Sequence, residues 1–125
     1  PGGVRIGTSE IYQSADSLDY IEDSLAIGQK YKDDERVILF VKLNNDRILD
    51  AKIIADIKKT IRKDCSPRHI PEIIIQVDAI PYTINGKKVE LAVKNIIHGI
   101  TPDNLSSLSN PESLKIFENI KQLKV

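Results

Sequence analysis

The sequence of 125 residues contains no methionine and no tryptophan, one cysteine, two histidines, two phenylalanines and four tyrosines. A lone thiol, Cys65, cannot close an internal disulfide, and two histidines make a structural zinc site improbable. Both features fit a reducing cytoplasm. Charge of one sign is also missing, because 18 basic and 18 acidic side chains cancel. There is thus no long-range pull toward nucleic acid or an anionic membrane. No apolar run approaches the roughly 18 residues of a membrane span, and the start lacks the apolar core of a signal peptide. No internal repeat, low-complexity tract or interior linker interrupts the chain. Methionine is missing even from position 1, and Pro1-Gly2-Gly3 reads as the middle of a loop. This predicts a piece of a larger protein, a processed natural product being the alternative.

What is present points to one folded domain. Hydrophobic residues make up 41% and charged residues 29%, a globular balance. The 21 isoleucines against six aromatics predict a core of β-branched aliphatics with strands at its centre. Val4-Arg5-Ile6-Gly7 is a short Gly-bounded stretch, and Thr8 or Ser9 caps an expected helix beginning Glu10-Ile11-Tyr12. The mixed run from Tyr20 to Gly28 predicts an exposed strand; Arg36 to Leu43, nearly all apolar, predicts a central one, followed by a turn at Asn44-Asn45-Asp46. Ile53, Ile54, Ile57 and Ile61 form one stripe at helical period, with Asp50 as N-cap and Pro67 beyond the end. Glu72 to Val77 predicts a second buried strand, and Val89 to His98 a helix stopped by Gly99. Between them, Asn85-Gly86 is a signal for a two-residue hairpin turn. Asn110-Pro111-Glu112 opens a last amphipathic helix carrying Leu114, Phe117 and Ile120. The expected fold is α+β, a small, mainly antiparallel sheet flanked by helices, with a core over 1–99 and an extension over 100–125.

No nucleophile triad, paired-carboxylate motif, phosphate-binding glycine loop or metal-ligand spacing is present. What remains is a lysine beside a glycine turn. Lys87 on the rim of the Asn85-Gly86 hairpin is a mobile cation on a rigid mount, suited to an anion that gathers charge. The same pattern also describes ordinary solvated surface.

The tract Ala79-Ile80-Pro81-Tyr82-Thr83-Ile84-Asn85-Gly86-Lys87 resembles the closing motif of the acyl-adenylate-forming synthetase superfamily. Two other landmarks stand in the order of that family. Gly3-Val4-Arg5-Ile6-Gly7-Thr8-Ser9-Glu10-Ile11 is similar to the hinge-proximal segment that opens the family's C-terminal domain. Arg62 to Pro71 is similar to the segment before the lysine strand, and Lys87 lies 16 residues after Pro71, as in the acyl-CoA branch. Ser66-Pro67-Arg68-His69-Ile70-Pro71, Pro81 to Glu90 and the late Ser109-Asn110-Pro111-Glu112-Ser113-Leu114 further resemble the subgroup that acts on acetoacetate. The resemblance covers essentially the whole chain.

It implies the mobile C-terminal domain of an ATP-dependent acid–CoA ligase, inactive in isolation, working against its own N-terminal adenylation domain. Substrates would be ATP with Mg²⁺, held mainly by that N-terminal domain, CoA, and a short 3-oxo acid. Another short-chain acid such as acetate is an alternative, as is a non-catalytic basic interaction module. By resemblance, Lys87 is the catalytic lysine of adenylation, bridging carboxylate and α-phosphate oxygens as charge builds; an ordinary lysine pKa of about 10.4 keeps such an amine charged. Side chains alternate along a strand, so Lys87 and Lys88 cannot both enter the site, and the Gly-Lys register selects Lys87. Arg5 maps onto an arginine that approaches ATP or AMP, a surface ion pair being the alternative. Gly3 maps onto the glycine beside which the pantetheine arm of CoA passes, and Arg62 onto an arginine that meets the CoA phosphates. Lys58, Lys59, Lys63 and Arg68 would strengthen the same basic patch, which is otherwise a solvated helix face. Glu10 is expected to serve its helix start, His69 and His98 to be structural, and Cys65 to be a packed small residue; no metal ligand is expected. Lys87 is also placed for acylation by a lysine acetyltransferase and release by a deacetylase.

Overall fold

The isoleucine-rich runs form the middle of the structure, a computed structural model that describes residues 8–31, 34–44, 47–65, 70–82 and 89–99, and residues 114 and 117. The elements are α1 (Thr8–Ala15), β1 (Ile21–Tyr31), β2 (Asp34–Leu43), α2 (Ala51–Asp64), β3 (Ile73–Gln76) and α3 (Glu90–Ile97). The Asn85-Gly86 hairpin, the segment 1–7 and the start of the expected last helix lie outside the described residues.

The three strands lie in the order β1-β2-β3. β1 and β2 pair antiparallel from Ile21↔Leu43 to Tyr31↔Asp34, whereas β2 and β3 pair parallel from Ile38↔Ile73 to Val41↔Gln76. The expected mainly antiparallel sheet is thus mixed among the described strands. The reason is topological: α2 connects β2 to β3, and a crossover of that kind returns the chain parallel to where it left. The ladder continues beyond β3, with the Val77 amide donating to the Val41 carbonyl at 2.9 Å.

Period-two alternation sends β2 side chains to two separate cores. Ile38 and Phe40, with Leu25 and Ile27 of β1, pack against Val89 and Val93 of the α3 region and against Leu114 and Phe117. Val37, Leu39, Val41 and Leu43 face the other way, onto Ile11 and Ala15 of α1 and Ile57 and Ile61 of α2. Phe117 meets Phe40 edge-to-face at 4.7 Å between ring centroids.

Coverage of both faces also corrects one expectation. β1 is a strand, but not an exposed one: Ser24, Leu25, Ala26 and Gln29 are fully buried. The two polar residues bury without cost because each is matched: the Ser24 hydroxyl donates to Asp16 at 3.2 Å, and the Gln29 Oε1 accepts from Arg36 Nε at 2.9 Å.

α2 follows its stripe. Asp50 caps it by accepting the Ile53 amide at 2.8 Å, and Ile57 and Ile61 are fully buried. Each buried isoleucine contributes about 1.5–3 kcal/mol, while Arg62 and Lys63 favourably meet the negative end of the helix dipole. α3 ends as expected: Gly99 adopts φ +79°, a left-handed conformation that a β-carbon disfavours. Among the described residues no helix is long and apolar enough to cross a membrane.

Candidate functional site

Lys87, Lys88, Arg5 and Gly3 lie outside the described residues, as does His69. On either side of the 83–88 segment that carries Lys87, the nearest described residues are Tyr82 and Val89. On the incoming side, Ile80 and Pro81 are buried, and the Tyr82 hydroxyl donates to the Asp23 carboxylate. Asp23 stands at an irregularity of β1, where the register shifts between Ile21 and Asp23. A bulge of this kind re-aims side chains at a sheet edge. Burial, then the bond to Asp23, pushes the Tyr82 phenol well above its ordinary pKa, so it remains a donor at neutral pH.

On the outgoing side, Val89 is buried against the α3-side core, and Glu90 begins α3. The Glu90 carboxylate accepts from the Tyr12 hydroxyl at 2.5 Å and from the Thr8 hydroxyl at 3.0 Å. Tyr12 in turn accepts the Ala26 amide of β1 at 3.0 Å, and its oxygen lies 3.3 Å from the Ala26 carbonyl. α1 and α3 pack on opposite faces of the sheet, so this polar knot passes around the outer edge of β1. Burial, followed by the bond to Glu90, raises the Tyr12 phenol far above its ordinary value, which keeps its proton in place.

Thr8 therefore differs from its sequence reading. It is the first residue of α1, and its hydroxyl reaches across the molecule to Glu90 instead of capping its own helix. Thr8, Tyr12, Glu90 and Asp23 were not singled out as site residues by sequence reasoning. The only local signal was an acidic residue at the start of a helix; the partners stand 82 and 78 residues apart.

Arg62 is described and exposed on α2, and among the described residues it makes no ion pair. Lys58 and Lys59 lie one turn before it, on the same side of the helix. Such a face can present several cations at once to a polyanion. Of the remaining candidates, the His98 Nδ1–H donates to the Lys94 carbonyl at 2.7 Å. Glu10 sits in the first turn of α1. The partly buried Cys65 thiol lies 3.5 Å from the Glu10 carbonyl, and burial, with Glu10 and Asp64 nearby, raises its pKa, which disfavours the reactive thiolate. Among the described residues no group of three or more His, Cys, Asp or Glu is arranged to hold a metal ion.

No family model matches the chain. It is 47% identical over 124 residues to acetoacetyl-coenzyme A synthetase of Rhizobium meliloti, covering 99% of this chain and 19% of that protein. With acetoacetyl-CoA synthetase of Rattus norvegicus it shares 44% identity over 125 residues, again 19% of the relative. The structure of acetoacetyl-CoA synthetase from Streptomyces lividans superposes with a TM-score of 0.85 at 37% identity, over 95% of this chain and 18% of that one. The chain spans about one fifth of the curated relatives it matches. Over its full length it is homologous to the C-terminal part of acetoacetyl-CoA synthetases.

Proposed function

We infer that this chain serves as the C-terminal domain of an AMP-forming acid–CoA ligase of the acetoacetyl-CoA synthetase family, and that its parent enzyme converts acetoacetate, ATP and CoA to acetoacetyl-CoA, AMP and pyrophosphate. The observation that carries this reading is identity of 47% and 44% along the entire chain with two such enzymes, joined to an uninterrupted Pro81-Tyr82-Thr83-Ile84-Asn85-Gly86-Lys87 motif.

In the first half-reaction the acid's carboxylate attacks the α-phosphorus of ATP, which reaches the enzyme as its Mg²⁺ salt on the N-terminal domain, and pyrophosphate leaves. Lys87 meets the carboxylate and α-phosphate oxygens as negative charge accumulates, with Arg5 approaching the same nucleotide. An ammonium fixed before the charge develops stabilises the transition state more than the ground state, which is what raises the rate. In the second half-reaction the domain turns, the CoA thiol attacks the acyl carbon and AMP departs. Gly3 leaves space for the pantetheine arm, and Arg62 with its neighbouring lysines meets the CoA phosphates. The acid is selected by the N-terminal domain, and the enzyme works in the cytoplasm. Acylation of Lys87 by an acetyltransferase would cancel its charge and silence the first step until a deacetylase restored it; mass spectrometry of the enzyme from acetyl-CoA-rich cells would detect that adduct.

The test is Lys87→Ala in the full-length enzyme. ATP–pyrophosphate exchange should be lost while thioester formation from supplied acetoacetyl-adenylate persists. Normal exchange in that variant overturns the assignment.

A further inference from the structure

The direction of each backbone group along β1 can be read from β2. The Val37 and Val41 carbonyls face β3, where they accept the Glu72 and Val77 amides. Backbone groups alternate along a strand, so at Ser24↔Val41, Ala26↔Leu39 and Gly28↔Val37 β1 turns its own N–H and C=O away from β2. Among the described strands β1 ends the sheet, and Ser24, Ala26 and Gly28 therefore present the row that a further strand would use. Two of these three amides are taken by side chains. Asp23 Oδ1 accepts the Ser24 amide at 2.9 Å, and the Tyr12 hydroxyl oxygen accepts the Ala26 amide at 3.0 Å. Both acceptors are themselves held from distant parts of the chain. The Tyr12 hydroxyl donates to Glu90 of α3, and the second oxygen of Asp23 accepts from Tyr82. Ser24 and Ala26 are fully buried although they stand on the outermost described strand, whereas Gly28 is half-buried.

We propose that Tyr12 and Asp23 form an edge guard that keeps β1 of this chain from pairing with β1 of a second copy. The row is self-complementary, which makes a second copy the partner to be kept out. A two-fold axis through Ala26 sets Ala26 opposite Ala26 and Ser24 opposite Gly28 in antiparallel pairing, and every side chain of that row is small. Nothing bulky in the row hinders such an approach, so the protection has to come from elsewhere in the fold. It comes from two acceptors placed on the donors that a ladder would use. The link from Tyr12 to Glu90 also crosses in front of the edge, because α1 and α3 pack on opposite faces. This guard is independent of the ligase chemistry inferred above.

The test uses the full-length protein and two variants. Tyr12→Phe loses the hydroxyl and keeps the ring, and the double variant Tyr12→Ala/Asp23→Ala removes both acceptors. Residue-resolved hydrogen exchange reads the first. Exchange at Ala26 should rise about three- to tenfold, the worth of one hydrogen bond. Leu25 and Ile27, whose amides face β2, should stay within about twofold of the parent. Unchanged exchange at Ala26 overturns the guard, and so does an equal rise at all three, which would make Tyr12 a fastening of the whole strand. Sedimentation velocity over a concentration series reads the double variant. It should form a larger species than the parent, and protection at Ser24, Ala26 and Gly28 should grow with concentration. The parent's sedimentation at every concentration, or association without added protection in that row, overturns the proposal. A double variant that loses its far-ultraviolet circular dichroism also overturns it, because the two residues would then hold the fold together rather than shield its edge.

Discussion

Phe117 offers a test of how the α3 side of the sheet is closed. It is 1% exposed and stands edge-to-face on Phe40 at an interplanar angle of 90°. Truncating a buried phenylalanine to alanine costs about 3–5 kcal/mol, out of a total stability of about 5–15 kcal/mol for a domain. At about 4 °C per kcal/mol for a chain of this size, Phe117→Ala should lower Tm by about 12–20 °C. Phe117→Leu keeps most of the apolar volume and gives up the ring pair, worth about 0.5–1.5 kcal/mol, so its effect should be the smaller. A cycle with Phe40→Leu isolates that pair term, because the two residues touch and their losses should not add. Thermal melts followed by far-ultraviolet circular dichroism measure the Tm shift, and urea titration measures the free-energy losses, provided the slope with denaturant is unchanged. A loss below about 1 kcal/mol for Phe117→Ala, the range of an ordinary surface change, would refute the placement of this ring in the core.

Three further outcomes follow from the same structure. Asp50→Ala removes the acceptor of the Ile53 amide and should cost about 1 kcal/mol, read as a lower urea midpoint; Asp50→Ser should recover most of it. Tyr12, Tyr20 and Tyr82 all have raised pKa values, burial being the first cause of each. Below the unfolded phenol value of about 10, both states keep the proton and pH has no effect through these groups; above it the unfolded chain releases protons that the folded chain retains. Stability should thus fall as pH rises past about 10, with phenolate absorbance from these rings appearing only as helical signal is lost. Titration of all four tyrosines near that pH in a still-folded chain would contradict this. Arg62→Ala in the full-length enzyme should raise KM for CoA several-fold with kcat nearly unchanged, and the effect should shrink with added salt because the face is exposed; an unaltered KM at low salt removes Arg62 from the CoA site.

Elements whose burial pattern is local were legible in the sequence. The Ile53–Ile61 stripe and the Asp50 cap define α2, and Gly99 stops α3, because each depends on neighbours within a turn. β1 was legible as a strand but not as a buried one: its mixed composition says nothing of the two helices that cover it, nor that Arg36, directly opposite Gln29, would satisfy that buried amide. The parallel pairing of β3 was likewise hidden, since a short apolar run fixes neither partner nor direction. Lys87, Arg5 and Gly3 were assigned by resemblance in motif order and lie outside the described residues. The knot was invisible for a different reason. Thr8 reads as a cap and Glu90 falls within the expected helix from Val89 to His98, and neither placement points to the other; only the closure of the chain over 82 residues joins them.

The seat of Tyr12 on Ala26 also decides what the outer rim of β1 can join. A phenol, not another polypeptide, takes the outward amide there, so the ladder is stoppered midway and a passing strand has no continuous row to zip onto. At that position a neighbouring chain finds the backbone hydrogen-bonding group already taken.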